Sequence, residues 1–322
     1  MEIYLQECLD AFARQRFDDN VEIILIDDGS TDNSLNICKN AAKHDKCYRV
    51  IHQENKGVAV ARNIGLEYSN GLYIAWVDPD DYITDDWWST IKKELDNMPE
   101  MVYFDMYLLR KDSLKVMEFD NYSRIISNQE LCEQLAVGNR IQSHLPSKII
   151  LRKFYKWNFS TNYSYCEDFA LLHRVICNIN RCNYIHRRLY VYRQIDTSIV
   201  HNKKKMLENY RLGIKLYKKR YRYFITNNIK VPYDGIYGAM INYCYEYRIR
   251  NRKEIYEVDE KYYKICIGII KNNFILIIKS KYLMFRQKIK MLFVIAGMAI
   301  YTPLEVMSNT ICSLKNGIIN GK

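Results

Sequence analysis

The sequence lacks the cysteine patterns of a zinc-binding protein. Its 10 cysteines include no Cys-x-x-Cys pair, and the closest pairs, Cys38/Cys47 and Cys177/Cys182, do not have zinc spacing. We therefore interpret them as buried, reduced side chains in a reducing compartment. Proline is rare in the last third of the chain, and neither an internal repeat nor a low-complexity linker is present.

The sequence also lacks an apolar run long enough to span a bilayer, which takes about 20 residues. Ile265–Ile278 is interrupted by Lys271 and two asparagines, and Met291–Tyr301 is apolar for only eleven residues. No cleavable signal sequence opens the chain, because its first six residues already resemble the start of an amphipathic helix. These observations predict a cytoplasmic protein.

Acidic residues are scarce in the last third of the chain. Residues 1–200 contain 24 Lys/Arg and 29 Asp/Glu, a net charge of −5, whereas residues 201–322 contain 24 and 8, a net charge of +16. This asymmetry points to an anionic partner, such as a membrane surface or a phosphorylated acceptor. The alternative is a solvated basic face that binds nothing. Nucleic acid is a weaker candidate, because no recognised nucleic-acid-binding motif surrounds the basic residues.

One basic segment near the C-terminus suits a membrane surface. Lys279–Lys290 is amphipathic and contains two aromatic residues, as expected for a helix in the headgroup region of an anionic leaflet. This interpretation predicts a protein bound peripherally at the inner face of the cell membrane. The alternative is a helical subdomain that packs on the core or on a second subunit.

Helix-like and strand-like segments alternate over the first hundred residues. Strand-like runs occur at 21–26, 72–77 and 101–109, and the last third of the chain is helical throughout. Alternation of this kind predicts an α/β fold with a mostly parallel open sheet flanked by helices. We expect this domain over residues 1–200 and a basic helical region over residues 201–322.

Two acidic clusters each follow a strand-like run. Asp27–Asp28 follows residues 21–26, and Asp78–Asp81 follows residues 72–77. In an open parallel sheet, ligands bind at the carboxyl ends of the strands. The clusters therefore predict one site lined by several carboxylates. Carboxylates that stay ionised side by side usually hold a hard divalent cation, and with it a phosphate.

Further motifs follow in a recognisable order. The segments are Ile24–Asp32, Asn55–Leu66, Val77–Asp81, Cys166–Phe169 and Tyr192–Arg193 followed by Ser198–Ile199. This order resembles the family 2 inverting glycosyltransferases with the GT-A fold. It is most similar to the bacterial members that build capsular or other surface polysaccharides. The resemblance covers about residues 1–200, and the first three motifs in this order and spacing are its most specific part.

The resemblance implies a donor site for a nucleotide-sugar, in particular a UDP-sugar. An aspartate at the end of the first strand, Asp28 or its neighbour Asp27, would hydrogen-bond the uracil base, and Gly29 would permit the sharp turn. Gly57 would let the backbone approach the nucleotide, and Arg62 would contact it. The alternative for Arg62 is a salt bridge on a helix surface.

The resemblance also implies a divalent cation, Mn²⁺ or Mg²⁺, at the Asp-x-Asp motif. Asp80 would ligate the ion that bridges the two phosphates, while Asp78 would face the ribose or belong to the metal shell. The ion would absorb the charge that develops on the nucleoside diphosphate leaving group. For Asp81, two interpretations stay open: a further metal ligand, or the cap of a helix that begins near residues 85–88.

Asp168 matches the family's catalytic base, which removes the acceptor proton on the face opposite to the leaving group. Glu167 is the neighbouring alternative. Both acids would also favour a helix dipole without taking part in chemistry. Lys148, and Arg193 together with His201, are candidate contacts to the diphosphate or the acceptor.

One part of the family's pattern is absent from the sequence. Members usually open with an apolar strand and a Pro-x-Tyr-Asn-like turn, ahead of a helix that resembles Tyr4–Leu9. This chain begins inside that helix. Since the strand normally lies in the middle of the sheet, we expect an interrupted sheet with unpaired backbone on the strands it would separate. Either the true start lies upstream or the chain is a decayed copy.

These observations predict a metal-dependent glycosyltransferase of surface polysaccharide biosynthesis. It would move a sugar from a UDP-sugar, with inversion, to a glycan or polyprenyl-linked acceptor. One alternative is an inactive remnant that acts as a binding or scaffold protein. A nucleotidyltransferase is another, but it would need a glycine-rich phosphate loop near the N-terminus, which the sequence lacks.

Overall fold

The structure, a computed structural model, describes residues 1–18, 20–111, 113–138, 141, 143–163, 166–195, 206–251 and 260–296. The chain divides into two compact units. The first comprises Met1–His201 and Thr226–Lys230, and the second comprises Asn202–Ile225 and Val231–Lys322. All strands of the described residues belong to the first unit.

The first unit opens with three helices and a parallel pair of strands. These elements are α1 (Glu2–Ala13), β1 (Ile23–Asp28), α2 (Ser34–His44), β2 (Tyr48–Gln53) and α3 (Val58–Tyr68). The pairing runs from Ile23 opposite Tyr48 to Asp28 opposite Gln53. It is parallel because α2 carries the chain back to the starting end of β1 before β2 begins.

The other strands form a seven-stranded sheet in the order β3-β8-β5-β9-β4, with β6 paired to β5 and β7 paired to β9. They are β3 (Tyr73–Ala75), β4 (Tyr82–Ile83), β5 (Met101–Arg110), β6 (Ser113–Met117), β7 (Arg124–Ser127), β8 (Lys148–Leu151) and β9 (Arg181–Arg193). The intervening helices are α4 (Trp87–Leu95), α5 (Asn128–Val137), a short 3-10 helix (Arg152–Phe154) and α6 (Glu167–Ile176).

The predicted α/β fold with flanking helices is confirmed, but the prediction of a mostly parallel sheet is wrong. Within the larger sheet of the described residues, β5–β9 is parallel, while β3–β8, β5–β8, β5–β6, β4–β9 and β7–β9 are antiparallel. The short connections explain part of this difference. Arg110 and Ser113 bound a link of two residues between β5 and β6, which is too short for the crossover that a parallel pair requires.

The described strands show the expected interruption between β1 and β3. Within the described part of the chain, β1 pairs with no strand other than β2, and β3 pairs with no strand other than β8. Helix α1 bridges the two halves instead. Its Leu5 and Leu9 pack beside Cys38 of α2, while Ala11 packs with Ile83 and Trp87 on the larger sheet.

Strand β5 forms the centre of the core. Its first six residues are all buried. Met101 and Tyr103 belong to the apolar cluster that includes residues of α5 and α6, whereas Val102, Phe104 and Met106 belong to the cluster beside α4. Both faces of the strand are therefore covered. This explains why its sequence is a nearly continuous apolar run instead of an alternating one.

The second unit is helical, as predicted. Its helices are α7 (Met206–Thr226), α8 (Asp234–Asn251), α9 (Glu260–Asn272), α10 (Phe274–Lys279) and α11 (Phe285–Ile295). The expected single helix over Lys279–Lys290 is wrong, because the Ser280 hydroxyl accepts the N–H groups of Tyr282 and Leu283 and closes a turn between α10 and α11. Of the described helices, none combines the length and the apolar character required to cross a bilayer.

Candidate active site

The end of β1 and the start of α3 form one corner of the candidate site. The Asp28 carboxylate accepts the backbone N–H groups of Lys56 and Gly57, each at 2.8 Å. Gly57 has φ +89° at the N-cap of α3, which a residue with a Cβ rarely adopts. A Cβ on Gly29, at φ +69°, would lie 2.6 Å from Asn55 N. Asp28 thus fastens the loop before α3 to the end of the strand.

Asp27, the neighbouring candidate, is less accessible. It is 4% exposed, and its Oδ2 lies 2.6 Å from His52 Nδ1. Burial raises the pKa of Asp27, but hydrogen bonds from Ser30 and His52 outweigh burial and hold the pKa below its usual value. Asp27 is therefore an ionised and paired carboxylate inside the strand layer, while Asp28 borders the site.

Arg62, in α3, joins three of the predicted motifs. Its NH2 donates to Asp78 Oδ1 at 2.8 Å, and its NH1 donates to Glu167 Oε1. Burial lowers the pKa of Arg62, but the nearby carboxylates, led by Asp78 and Glu167 and including Asp168, raise it above its ordinary value. The side chain is only 12% exposed. Arg62 is therefore the buried cation of an acidic site, and the alternative of a surface salt bridge is wrong.

Aromatic side chains surround the Arg62 guanidinium. It lies 5.9 Å from the ring centroids of both Trp76 and Phe159. Trp76 Nε1 donates to Tyr155 OH at 3.1 Å. Asn63 binds the backbone of Phe159 through two hydrogen bonds, at 2.7 and 3.0 Å. The Ala-Arg-Asn motif therefore supplies both the cation and the residue that fixes one of its aromatic neighbours.

Asp80 has the least engaged carboxylate of the Asp-x-Asp motif. Among the described residues, no side chain hydrogen-bonds or ion-pairs with it, whereas Asp78 Oδ1 accepts a hydrogen bond from Arg62. Burial and the neighbouring charge of Asp78 raise the pKa of Asp80. A bound cation would relieve this repulsion and favour the ionised form.

The residues fit a divalent cation that is held partly by protein carboxylates and partly by a substrate phosphate. In the part of the chain that the structure describes, no three His, Cys, Asp or Glu side chains are grouped to hold a metal ion. However, Mg²⁺ in phosphate-transfer sites is usually held by one or two carboxylates, water and substrate phosphates. Asp78 and Asp80 offer such a pair of hard oxygen donors.

Asp81 attaches residues 78–81, which we call the acidic loop, to β9. It is 1% exposed, and its two oxygens accept the Tyr190 hydroxyl and the Arg193 backbone N–H, each at 2.7 Å. Tyr190 OH also accepts the N–H of Asp78 at 3.2 Å. Burial raises the pKa of Asp81 to about 8. The interpretation of Asp81 as a helix cap is wrong, since the N-cap of α4 is Asp86.

The Arg193 guanidinium ties the same loop to α1. Its Nε donates to the backbone oxygen of Asp80 at 2.9 Å, and its NH2 donates to Glu7 Oε2 at 2.5 Å. It also lies 4.8 Å from the ring centroid of Tyr4. These contacts give Arg193 a structural part in holding the loop. Its predicted contact with the diphosphate or the acceptor stays a prediction, and His201 lies outside the described residues.

Glu167 and Asp168 open α6, whose N-cap Cys166 has φ +66°. Glu167 is 5% exposed and accepts its hydrogen bond from Arg62. Asp168 accepts the N–H of Phe169 at 2.6 Å and makes no ion pair within the described residues. Burial and the charge of Glu167 raise the pKa of Asp168 to about 6, against the opposing effect of Arg62. Of the two acids, Asp168 is therefore better suited to exchange a proton near neutral pH.

Lys148 lies in β8 with its ammonium buried. The side chain is 1% exposed, and Nζ donates to the His144 carbonyl at 2.6 Å and lies 5.0 Å from the Tyr103 ring centroid. Burial lowers the pKa of Lys148 to about 7, although the charge of Asp168 opposes this effect. The predicted contact of Lys148 with a diphosphate or acceptor stays a prediction. In this structure the ammonium is enclosed by protein.

The structure brings most of the predicted residues to one place. Arg62 contacts both Asp78 and Glu167, and Gly57, the N-cap of the helix that carries Arg62, is hydrogen-bonded to Asp28. Sequence reasoning missed Tyr190. A signal was present, because Tyr190 and Tyr192 alternate along one strand and therefore share a face of the sheet.

Comparison with known proteins identifies the family. Residues 2–178 match the family model described as Glycosyl transferase family 2. The chain is 32% identical over 213 residues to Glycosyltransferase GlyG of Streptococcus pneumoniae serotype 4, covering 61% of this chain and 68% of GlyG. It is 29% identical over 206 residues to the uncharacterized glycosyltransferase EpsJ of Bacillus subtilis, covering 62% of this chain and 60% of EpsJ. The match covers a smaller share of some other relatives, such as 34% of EpsH.

A solved structure has the same fold. The match with the crystal structure of S. aureus TarS 1-349 covers 92% of this chain and 84% of the TarS chain. Its TM-score is 0.59, and the sequence identity is 17%. The family match extends over more than half of the chain and includes every residue grouped around Arg62. The chain belongs to glycosyl transferase family 2 and has the GT-A fold of the surface polysaccharide glycosyltransferases.

Proposed function

We propose that this glycosyltransferase moves a sugar from a UDP-sugar, with inversion, to a glycan or polyprenyl-linked acceptor of a surface polysaccharide. The observation that carries the proposal is the contact of Arg62 with both Asp78 and Glu167, beside Asp168. This contact joins the donor motifs to the motif of the catalytic base. Names of similar proteins support the pathway, since one is a minor teichoic acid biosynthesis protein, GgaB of Bacillus subtilis. TarS has been crystallised with UDP and with UDP-GlcNAc.

The donor would lie between the end of β1 and the Asp-x-Asp loop. Asp28 and Gly57 border the part of the site proposed for the nucleotide, and no atom lies within 4 Å of the position that a Cβ on Gly57 would take. Arg62 brings a positive charge to the acids where the diphosphate would lie. When bound by Asp78 and Asp80, Mn²⁺ or Mg²⁺ would supply a Lewis acid that stabilises charge on the departing diphosphate.

Asp168 is the proposed general base. The oxygen of the acceptor hydroxyl forms a bond to the anomeric carbon while the bond from that carbon to the UDP oxygen breaks, and the hydroxyl proton passes to the Asp168 carboxylate. A single displacement of this kind inverts the anomeric configuration. Glu167 accepts a hydrogen bond from Arg62, so it would hold the Arg62 side chain in place while Asp168 receives the proton. The raised pKa of Asp168, about 6, suits this exchange near neutral pH.

The proposed location is the cytoplasm, at the inner face of the cell membrane. None of the nine described cysteines forms a disulfide, which is typical of a reducing compartment. A lipid-linked acceptor would be presented at the same membrane face. The nucleotidyltransferase alternative is set aside, because the chain belongs to a glycosyltransferase family.

A binding protein without catalysis remains the second candidate, and the interruption of the sheet between β1 and β3 is the observation that favours it. Calorimetric titration with UDP, with and without Mn²⁺, separates the candidates when it is combined with an assay for UDP release from UDP-sugars. Metal-dependent UDP binding together with UDP release supports the transferase. Metal-dependent binding without release from any UDP-sugar supports the binding protein. Absence of UDP binding in the presence of Mn²⁺ contradicts both.

Asp80→Asn tests the metal site within the same titration. Loss of one charged ligand should weaken metal-dependent UDP binding by about tenfold or more. Asp85→Asn is the matched control, since Asp85 lies in the same region and its exposed carboxylate pairs with Arg14 at the surface. Equal affinity in the Asp80→Asn variant and the parent protein would remove Asp80 from the proposed metal shell.

A further inference from the structure

Short helix α10 and the start of α11 expose large apolar side chains. Ile275 and Leu276 are 65% and 63% exposed, and Met284 and Phe285 are 60% and 72% exposed. Isolated apolar residues on a surface are ordinary, but four so exposed within eleven residues form an unusual concentration. We call these four residues the apolar corner of the second unit.

The apolar corner is held in a defined shape. Lys288 Nζ donates to the carbonyls of Ile278 and Ser280, at 2.8 and 2.5 Å, which joins the first turns of α11 to the end of α10. Between the exposed residues, Ile277 is fully buried and Leu283 is 7% exposed. The buried residues anchor the corner to the second unit, so the exposed residues are not needed for its internal packing.

Basic residues surround the apolar corner in the sequence. Residues 261–296 contain eight Lys/Arg and no Asp/Glu. Lys271, Lys279, Lys281 and Arg286 all lie within four residues of a member of the corner. A surface that combines exposed apolar side chains with exclusively positive charges is complementary to the acyl chains and headgroups of an anionic bilayer.

From this combination we infer that the apolar corner docks the protein on the surface of an anionic lipid bilayer. Ile275, Leu276 and Phe285 enter the boundary between headgroups and acyl chains, and the neighbouring lysines contact lipid phosphates. A second copy of the chain is a poorer partner, because it would bring two positively charged segments together. The inference rests on the proposed function in one respect: it assigns the surface that contacts the membrane in which a lipid-linked acceptor lies. Binding of the protein to that membrane does not require catalysis.

Vesicle sedimentation with the full chain tests this inference. The probes are vesicles of phosphatidylcholine alone and vesicles with equal parts of phosphatidylcholine and phosphatidylglycerol. We expect binding to the mixed vesicles that falls with added salt. Ile275→Ser combined with Leu276→Ser should weaken binding by about tenfold or more. Lys279→Gln and Lys281→Gln should each weaken it by about fivefold.

The control variant combines Leu114→Ser and Val116→Ser. Both residues are about half exposed on β6 in the first unit, at 52% and 49%, so the pair removes similar apolar area from residues that do not belong to the corner. Binding to both vesicle types alike, no binding to either, or an equal loss in the control would overturn the inference. Sedimentation velocity without lipid adds a further outcome: a dimer that dissociates in the Ile275→Ser/Leu276→Ser variant would identify a second copy as the partner instead. Circular dichroism confirms that each variant is folded, and UDP titration tests the proposed function separately.

Discussion

Removing the hydroxyl of Tyr190 should loosen the acidic loop while leaving the surrounding core in place. Tyr190 is fully buried in β9. Its hydroxyl donates to Asp81 at 2.7 Å and accepts the backbone N–H of Asp78 at 3.2 Å. Tyr190→Phe keeps the ring and deletes both contacts. The loop that carries Asp80 then keeps its hydrogen bonds with Arg193 of β9.

The size of the effect follows from the groups left without a partner. A typical hydrogen bond contributes about 0.5–1.5 kcal/mol, and a buried polar group left without its partner costs about 1–3 kcal/mol. We therefore expect the free energy of opening of the loop to fall by about 2 kcal/mol. This change corresponds to about thirtyfold faster amide exchange at residues 78–81. Metal-dependent UDP affinity should fall as well, because the loop positions Asp80.

Tyr184→Phe provides a closely matched control on the same strand. Tyr184 is 2% exposed, its hydroxyl donates to the buried Asp105 at 2.7 Å, and it accepts the backbone N–H of Asp120 at 3.0 Å. The two variants therefore lose the same kinds of contact at different loops. Hydrogen–deuterium exchange measured by mass spectrometry, together with UDP titration in Mn²⁺, distinguishes them.

Only the Tyr190→Phe variant should show faster exchange at residues 78–81 and weaker metal-dependent binding of UDP. Equal changes in both variants would mean that general destabilisation explains the result. Unchanged exchange at residues 78–81 in Tyr190→Phe would refute the part assigned to the hydroxyl, whatever the enzyme's activity.

Three further outcomes follow from the charges of the site. Asp168→Asn should preserve UDP affinity while transfer falls by about 10²-fold or more, and a normal rate would reassign the base. In the parent protein, kcat/KM should rise with pH through about 6 as Asp168, whose pKa is raised to about 6, loses its proton; Arg62→Gln removes a cation that lowers this pKa, so the rise should move to higher pH. Because burial raises the pKa of Asp81 from 3.8 to about 8, the folded state holds this proton more tightly than the unfolded state, and the contribution to stability declines as pH rises from about 4 to 8. Asp81→Asn should flatten that decline in urea unfolding measured at pH 5 and pH 8, and an unchanged slope would contradict the assignment.

Local patterns were sufficient to predict the elements that carry the site. The apolar runs at 21–26 and 101–109 correspond to β1 and β5, and the acids at the end of β1 lie at the edge where they were expected. These predictions succeed because strand periodicity and turn residues are properties of neighbouring positions. By contrast, β6 spans only five residues, most of them exposed, so the alternation of polar and apolar side chains from Ser113 to Val116 is too short to distinguish a strand from a loop.

The partners of individual side chains could not be predicted in the same way. Glu167 lies 105 residues from Arg62, and Asp81 lies 109 and 112 residues from its partners on β9. Motif order suggested that Arg62 and Glu167 belong to one site, but it did not indicate that they form an ion pair. The functions considered for Asp81 omitted a structural attachment, because only the fold places a buried tyrosine beside it.

The break between β1 and β3 changes what holds the two sides of the candidate site in register. In a continuous sheet, a ladder of main-chain hydrogen bonds would set their spacing, whereas here α1 and the ion pairs of Arg62 set it. Side-chain contacts are more easily strained than a ladder. A ligand that contacts both sides of the site would therefore hold them together. Binding of the proposed donor should then raise both the cooperativity and the midpoint of the unfolding transition.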